Sequence, residues 1–367
     1  MDKTPAGIFR QSVIAREAVH VSMPSAILLF LLAAFGTFGR PPTPLIIDTD
    51  MGFDVDDVGA VCIANALEDL GEARILAIVH NTSFDKGIGA VSTLMHHYNR
   101  DNVTLGAYKG PFGRNPQHLK FTQDRYVSDL TNNYPSPVKN YTQVPTALEV
   151  YRSVLNAQPA RSVVIAMIGM TTNMRDLLES PADAIIALSG KELVAEKVKT
   201  IVWMDGPYNF GCACHDLVPG GGFLGNDTDC RGSARTAVNA VPPSVKQIFS
   251  GNKIAVPIGA PLTMCTEKTN PCRQAYVDYL GEYRNRPSWD PIAVSIAIRG
   301  ATAMHLREIG EGGHMKVSEG GMEKWIPHGG ANQTYVEFES IEARMWMREE
   351  LNSLLCMPPE SLEKHSA

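Results

Sequence analysis

Between positions 48 and 57 the chain reads Asp-Thr-Asp-Met-Gly-Phe-Asp-Val-Asp-Asp, which places the carboxylates Asp48, Asp50, Asp54, Asp56 and Asp57 within one short turn. The apolar triplet Leu45-Ile46-Ile47 precedes it, and an apolar helical pattern opening at Val58 follows. The acids therefore stand where a buried strand hands over to a helix. Carboxylates packed this closely repel and raise one another's pKa unless a cation or hydrogen-bond donors neutralise them. The chemistry indicated is a hard cation with oxygen ligands, and Ca²⁺ suits several carboxylates plus a backbone carbonyl better than Mg²⁺, because it accepts roughly six to eight oxygens in loose geometry.

Three other readings fit less well. An EF-hand loop would put Gly52 at its fifth position, where an oxygen ligand is needed, and would follow a helix rather than a strand. A phosphohydrolase or phosphotransferase with an aspartate nucleophile also begins Asp-x-Asp after a strand, but it needs a downstream basic residue and a second acidic loop, and neither has a convincing match. A solvated helix N-terminus accounts for Asp56 and Asp57 but not for Asp48 and Asp50 at the end of an apolar strand.

The elements around the turn alternate. Leu45–Ile47, Arg74–Val79 and Val103–Ala107 read as strands, separated by helices over Asp57–Leu70, ended by Gly71, and over Lys86–Arg100. Ser162–Ile168, Lys199–Met204, Val245–Phe249 and Lys253–Ile258 continue the strand pattern, with a helix at Asn173–Leu178. A helix at Asp290–Arg299, an antiparallel hairpin near His314–Pro327 and a closing helix at Ile341–Leu355 complete the chain. This predicts an α/β fold, a single large domain over 41–367 with a mostly parallel, Rossmann-like sheet flanked by helices. Residues 108–145, rich in Pro, Asn, Tyr and Gly, predict a long surface connection or lid.

With 367 residues and 44% hydrophobic content there is ample material for one buried core. A net charge of −6 and the absence of any Lys/Arg block leave no electrostatic footprint for nucleic acid, so a small molecule is the expected partner. Lys3, Arg10 and Arg16 ahead of the apolar run Ala26–Phe38 predict a signal peptide or signal anchor over 1–40, hence a secreted protein or one of the endomembrane lumen. Membrane association is expected only if that segment is kept as an anchor, and a homo-oligomer is compatible with the composition. Asn-x-Ser/Thr triplets at Asn81, Asn102, Asn140, Asn226 and Asn332 agree with export. In an oxidising compartment the simplest disulfides are Cys265 with Cys272 and one of Cys212 or Cys214 with Cys230, while Cys62 in an apolar helix reads as a buried thiol. Cys212-Ala-Cys214-His215 lacks a second ligand pair at zinc-finger spacing.

Five motifs in order resemble the nucleoside hydrolases, the inosine-uridine-preferring N-ribohydrolases, and mark the chain as a divergent relative. They are Asp48-Thr49-Asp50-Met51-Gly52 with Asp56-Asp57, His80-Asn81, Gly169-Met170-Thr171-Thr172-Asn173, Trp203-Met204-Asp205-Gly206, and Ser288-Trp289-Asp290-Pro291-Ile292-Ala293-Val294. The resemblance implies that Asp50, Asp57, Asp290 and the carbonyl of Thr172 hold Ca²⁺. It makes Asp50 the catalytic base and places Asp56, Asn81 and Asn226 on the ribose, with Met204 on the nucleoside and Asp48 supporting the turn. The implied reaction is hydrolysis of an N-glycosidic bond to ribose and free base; the alternative is a weakly catalytic protein that binds nucleosides or other ribosyl compounds.

The departures from the pattern are specific. Trp289 stands where the family often has a His that protonates the leaving base, so Trp289 would line the pocket or stack on the base, and His80 or His215 would have to supply the proton. Leu224-Gly225 replaces the Glu expected before Asn226, Asp205 replaces a Gly, and Asp54-Val55 is inserted in the acidic turn.

Overall fold

Runs of Ile, Val and Leu that are buried on both faces make strands of a parallel sheet, and the shorter helices between them return the chain to the same edge. The computed structural model of the chain describes residues 40–111, 124, 126–204, 228–318, 323–330 and 332–360, with the backbone alone over 228–232. In order the elements are β1 (Thr43–Thr49), α1 (Asp56–Asp69), β2 (Ala73–His80), α2 (Gly87–His97), β3 (Thr104–Ala107), α3 (Val127–Asn133), α4 (Ala147–Asn156), β4 (Val163–Ile168), α5 (Thr172–Glu179), α6 (Gly190–Lys197) and β5 (Val198–Trp203). They continue as α7 (Thr228–Ala240), β6 (Lys246–Phe249), β7 (Pro257–Ile258), α8 (Leu262–Cys265), α9 (Pro271–Leu280), β8 (Arg286–Pro287), α10 (Trp289–Arg299), β9 (Leu306–Ile309), β10 (His314–Val317), β11 (Glu323–Ile326), β12 (Gln333–Phe338) and α11 (Ile341–Leu355).

The main sheet has the order β3-β2-β1-β4-β5-β6-β12-β9, parallel throughout except for the antiparallel edge pair β12–β9. The chain runs outward from β1 to β3, then returns to lay β4 against the other side of β1. That reversal opens a crevice at the carboxyl ends of β1 and β4, the place where open α/β sheets bind ligands. Side chains of β4 divide between the faces as a strand's period of two requires: Val164, Ala166 and Ile168 join the core built with α1, α2, α10 and α11, while Val163, Ile165 and Met167 join the one built with α4 to α7. The α/β architecture, the parallel sheet, the β10–β11 hairpin and the closing helix all agree with the sequence expectations.

Other expectations need correcting. Lys253–Ile258 is no strand of the main sheet: Pro257 lacks the N–H that a central ladder needs, and only Pro257–Ile258 pairs, antiparallel to Arg286–Pro287 in a separate two-stranded sheet. The connection over 108–145 contains α3 and a short 3₁₀ turn at Tyr141–Gln143. Cys62 is not a thiol. It pairs with Cys272, 210 positions away, and Cys265 pairs with Cys356 instead of Cys272. Nearness in sequence misleads here because α9 lays Cys272 against α1. Cys212 and Cys214 lie outside the described residues, as does the side chain of Cys230, and so does the expected leader over 1–39. No described helix is long and apolar enough to cross a membrane.

Candidate metal and substrate site

The tips of β1, β2 and β4 approach so closely that only glycine fits at the first residue beyond β4. A Cβ on Gly169 would lie 2.5 Å from both the Asn81 amide nitrogen and the backbone nitrogen of Asp50. This contact brings three sequence motifs together. Asp48, fully buried at the end of β1, accepts hydrogen bonds from Tyr151 (2.7 Å), Asn81 (2.9 Å) and Asn173 (3.1 Å). Burial pushes its carboxyl up to about 7 in spite of these donors. Thr172 donates to the carbonyl of Asn81 (2.6 Å), and Asn81 N–H bonds back to Thr49.

The acids beyond Asp48 form one buried cluster. Thr49 Oγ1 donates to Asp57, and the Asp50 and Asp57 carboxyls share a hydrogen bond. Asp290, delivered by the first turn of α10, donates its N–H to Asp56 (3.3 Å) and interacts electrostatically with Asp56, Asp57, Asp54 and Asp50. Burial first and neighbouring carboxylates second push Asp50 up to about 8 and hold Asp56, Asp57 and Asp290 well above the usual carboxylate range. One oxygen each from Asp54, Asp56 and Asp290 lies within 4.8 Å of the others. Two buried oxygens here, Oδ1 of Asp290 and Oδ1 of Asn81, have no hydrogen-bond partner among the described residues. Clustered protonated or repelling carboxylates with unsatisfied oxygens fit a hard divalent cation, which would pair with these oxygens and displace the protons.

Arg286 is the cation the protein itself supplies. The β7–β8 pair and the Ser288 hydroxyl, bonded to both the N–H and the carbonyl of Val256, fix this segment just ahead of α10. The guanidinium donates to Asp54 (2.5 Å), lies 4.0 Å from Asp56, and sits over the rings of Trp289 and Tyr279 at 5.1 and 5.7 Å. Trp289 also donates its indole N–H to the carbonyl of Asn252 (2.8 Å), so one ring face and its polar edge are already engaged.

Of the residues singled out from sequence, Asp48, Asp50, Asp56, Asp57, Asn81, Thr172 and Asp290 gather at the crevice, with Met204 just beyond the tip of β5 and half-buried. Among the described residues, the three carboxylates with oxygens mutually within 4.8 Å are Asp54, Asp56 and Asp290, so Asp54 and Asp56 accompany Asp290 where the resemblance implies Asp50 and Asp57. His80 is not available as the proton donor: it is fully buried, and both ring nitrogens lie against backbone carbonyls, of Thr82 at 2.9 Å and Met51 at 3.0 Å. Asn226, Asp205 and His215 lie outside the described residues. Arg286 and Tyr126 were missed. Nothing local in the sequence marks either one, since each meets the acidic turn across a long separation.

This fold is that of the nucleoside hydrolases. An inosine-guanosine nucleoside hydrolase superposes with a TM-score of 0.56 at 17% identity, covering 87% of this chain and 99% of its own. The plant nucleoside hydrolase PpNRh1 gives 0.57 at 15% identity, over 85% and 100%. The type III effector XopQ, solved in complex with adenosine diphosphate ribose, gives 0.60 at 16% identity, over 91% and 100%. No family model and no curated protein matches the chain by sequence.

Proposed function

We propose that this protein is a Ca²⁺-dependent nucleoside hydrolase that cleaves the N-glycosidic bond of ribonucleosides to ribose and free base. The observation that carries the reading is the arrival of Asp290, more than two hundred residues downstream, inside a buried carboxylate cluster at the β1/β4 crevice, with an oxygen left unpartnered among the described residues. Asp50, Asp57, Asp290 and the Thr172 carbonyl would hold the ion, with Asp54 close enough to join them. Bound there, Ca²⁺ would acidify a coordinated water and hold the ribose hydroxyls. Asp50 takes the proton of the attacking water, while Asp56, Asn81 and Asn226 orient the ribose and Met204 meets the nucleoside. The carboxylates beneath the sugar stabilise positive charge developing on the ring.

A second reading, binding of a ribosyl compound without efficient turnover, is favoured by one feature. Trp289 replaces the protonating His, and the arginine stacked on it cannot supply a proton at neutral pH. Likeness to XopQ, whose structure holds adenosine diphosphate ribose, makes that molecule a second ligand to test. Incubation with inosine, uridine, adenosine and adenosine diphosphate ribose, with and without chelator, separates the readings. Chelator-sensitive release of ribose and base supports hydrolysis, and cation-dependent binding without product supports the second reading. Phosphate release from a phosphoester would overturn both.

The two disulfides are of the kind that persists in oxidising compartments. They support export directed by residues 1–40. Among the glycosylation triplets, Asn102 and Asn332 are exposed and so suited to carry glycans, whereas Asn81 is buried against Asp48.

A further inference from the structure

The acidic turn must bend sharply between Asp50 and Asp56 while carrying charges that push it apart. Phe53 N–H closes a turn onto the carbonyl of Asp50 (3.1 Å), and Gly52 adopts φ +112°, a conformation that disfavours any side chain. What holds the middle of this turn comes from over seventy residues away. The N–H of Gly52 donates to the hydroxyl of Tyr126 (2.8 Å), and the same hydroxyl donates to the carbonyl of Asp54 (2.5 Å). One oxygen thus ties both ends of the Gly52-Phe53-Asp54 segment. Tyr126 is 1% exposed, its ring meets Tyr279 edge-on at 6.2 Å, and it stands at the N-terminus of α3, whose Val127 packs over Gly52. Asp54 is therefore held at two points, its carboxylate by Arg286 and its carbonyl by Tyr126.

We propose that Tyr126 is a positioning residue for cation binding: its hydroxyl fixes the backbone of the acidic turn so that Asp54, Asp56 and Asp57 stay gathered beside Asp50 and Asp290. The tie is to the backbone of the turn rather than to another side chain. Removing the oxygen alone leaves the ring packing in place but frees a buried N–H and a part-buried carbonyl. The repelling carboxylates would then spread the turn before a cation can bridge them. This inference rests on the reading that the cluster binds a divalent ion.

The test is Tyr126→Phe in the full-length protein, with Ca²⁺ affinity measured by calorimetry and Tb³⁺ affinity by luminescence. Thermal unfolding in chelator is recorded alongside. The expected result is a fall in affinity of tenfold or more, about 1.4 kcal/mol. The variant's metal-free unfolding temperature should stay within a few degrees of wild type, and excess Ca²⁺ should restore its kcat. Leu130→Ala, buried in the same helix and taking no part in the hydroxyl's hydrogen bonds, serves as the packing control and should lower the unfolding temperature while leaving cation affinity unchanged. If Tyr126→Phe does not fold, Val127→Ala replaces it as the probe, because Val127 packs over Gly52, and it should also weaken cation binding. Wild-type binding with affinity unchanged in the variant would overturn the role of Tyr126 alone. A wild-type protein that binds neither ion would overturn the reading of the site as well.

Discussion

Asp50 sits 6% exposed beside Asp57, and its carboxyl is pushed up by burial and then by Asp54, so in the metal-free protein it holds a proton near neutrality. A base can act at that pH only once a cation has displaced the proton, which makes its basicity conditional on the site being filled. Asp50→Asn keeps the shape and removes the proposed base. Its kcat should fall by about 10² to 10⁴, the usual worth of a positioned acid or base, measured as ribose release at saturating Ca²⁺. Activity within a few-fold of wild type would assign the base elsewhere. At this scale the sequence was informative where acids stand in a fixed local pattern, as at Asp48, Asp50, Asp56 and Asp57, and where Asp290 opens a helix after Trp289. It was silent on Tyr126, whose hydroxyl acts through backbone groups 72 and 74 positions away. It was silent too on Arg286, which meets Asp54 across 232 positions. Contacts of that separation leave no periodicity to read.

The elements that deliver these residues were mostly legible because β1, β4 and α10 are long apolar runs with clear boundaries; α10 begins one residue before the expected Asp290. The cysteines were not, since their pairing depends on which helices touch. Cys62 in α1 and Cys272 in α9 are both fully buried, and the bond ties the helix that opens with Asp56-Asp57 to the one carrying Tyr276. Tyr276 in turn fills the space over Gly59, where a Cβ would collide with its hydroxyl. Closing so long a loop restricts the unfolded chain, so the Cys62→Ala, Cys272→Ala double variant should lose roughly 2–5 kcal/mol of stability. Denaturant titration under oxidising conditions measures it. Because the bond lies about a turn and a half past the acids in α1, cation affinity should fall together with stability; a stable double variant with full affinity would show that packing alone seats α1.

For the whole molecule, the consequence of burying five acids is a stability that depends on pH and on the ion. Asp48 and Asp50 are raised to about 7 and about 8 from an unfolded value of 3.8. The native state therefore binds more protons than the unfolded chain between these values, and stability declines as pH rises through that window. Their contribution is fully present below the unfolded value and is lost as pH rises through the raised folded values. A cation that takes the place of the protons adds stability in the opposite sense, most where the carboxylates would otherwise repel, and is worth about 2.7 kcal/mol at a hundredfold excess over Kd. The overall architecture was readable from alternating apolar runs. The Arg286–Asp54 contact and the antiparallel edge β12–β9 were not, because short strands paired across long separations carry little local pattern.

On the proposed reading, these carboxylates share one crevice because a divalent ion belongs among them. Thermal unfolding between pH 5 and 8, in chelator and in millimolar Ca²⁺, tests it in one experiment. The midpoint should drop with rising pH in chelator, and the Ca²⁺-induced increase should widen toward pH 8. Parallel curves with no response to Ca²⁺ would contradict that reading.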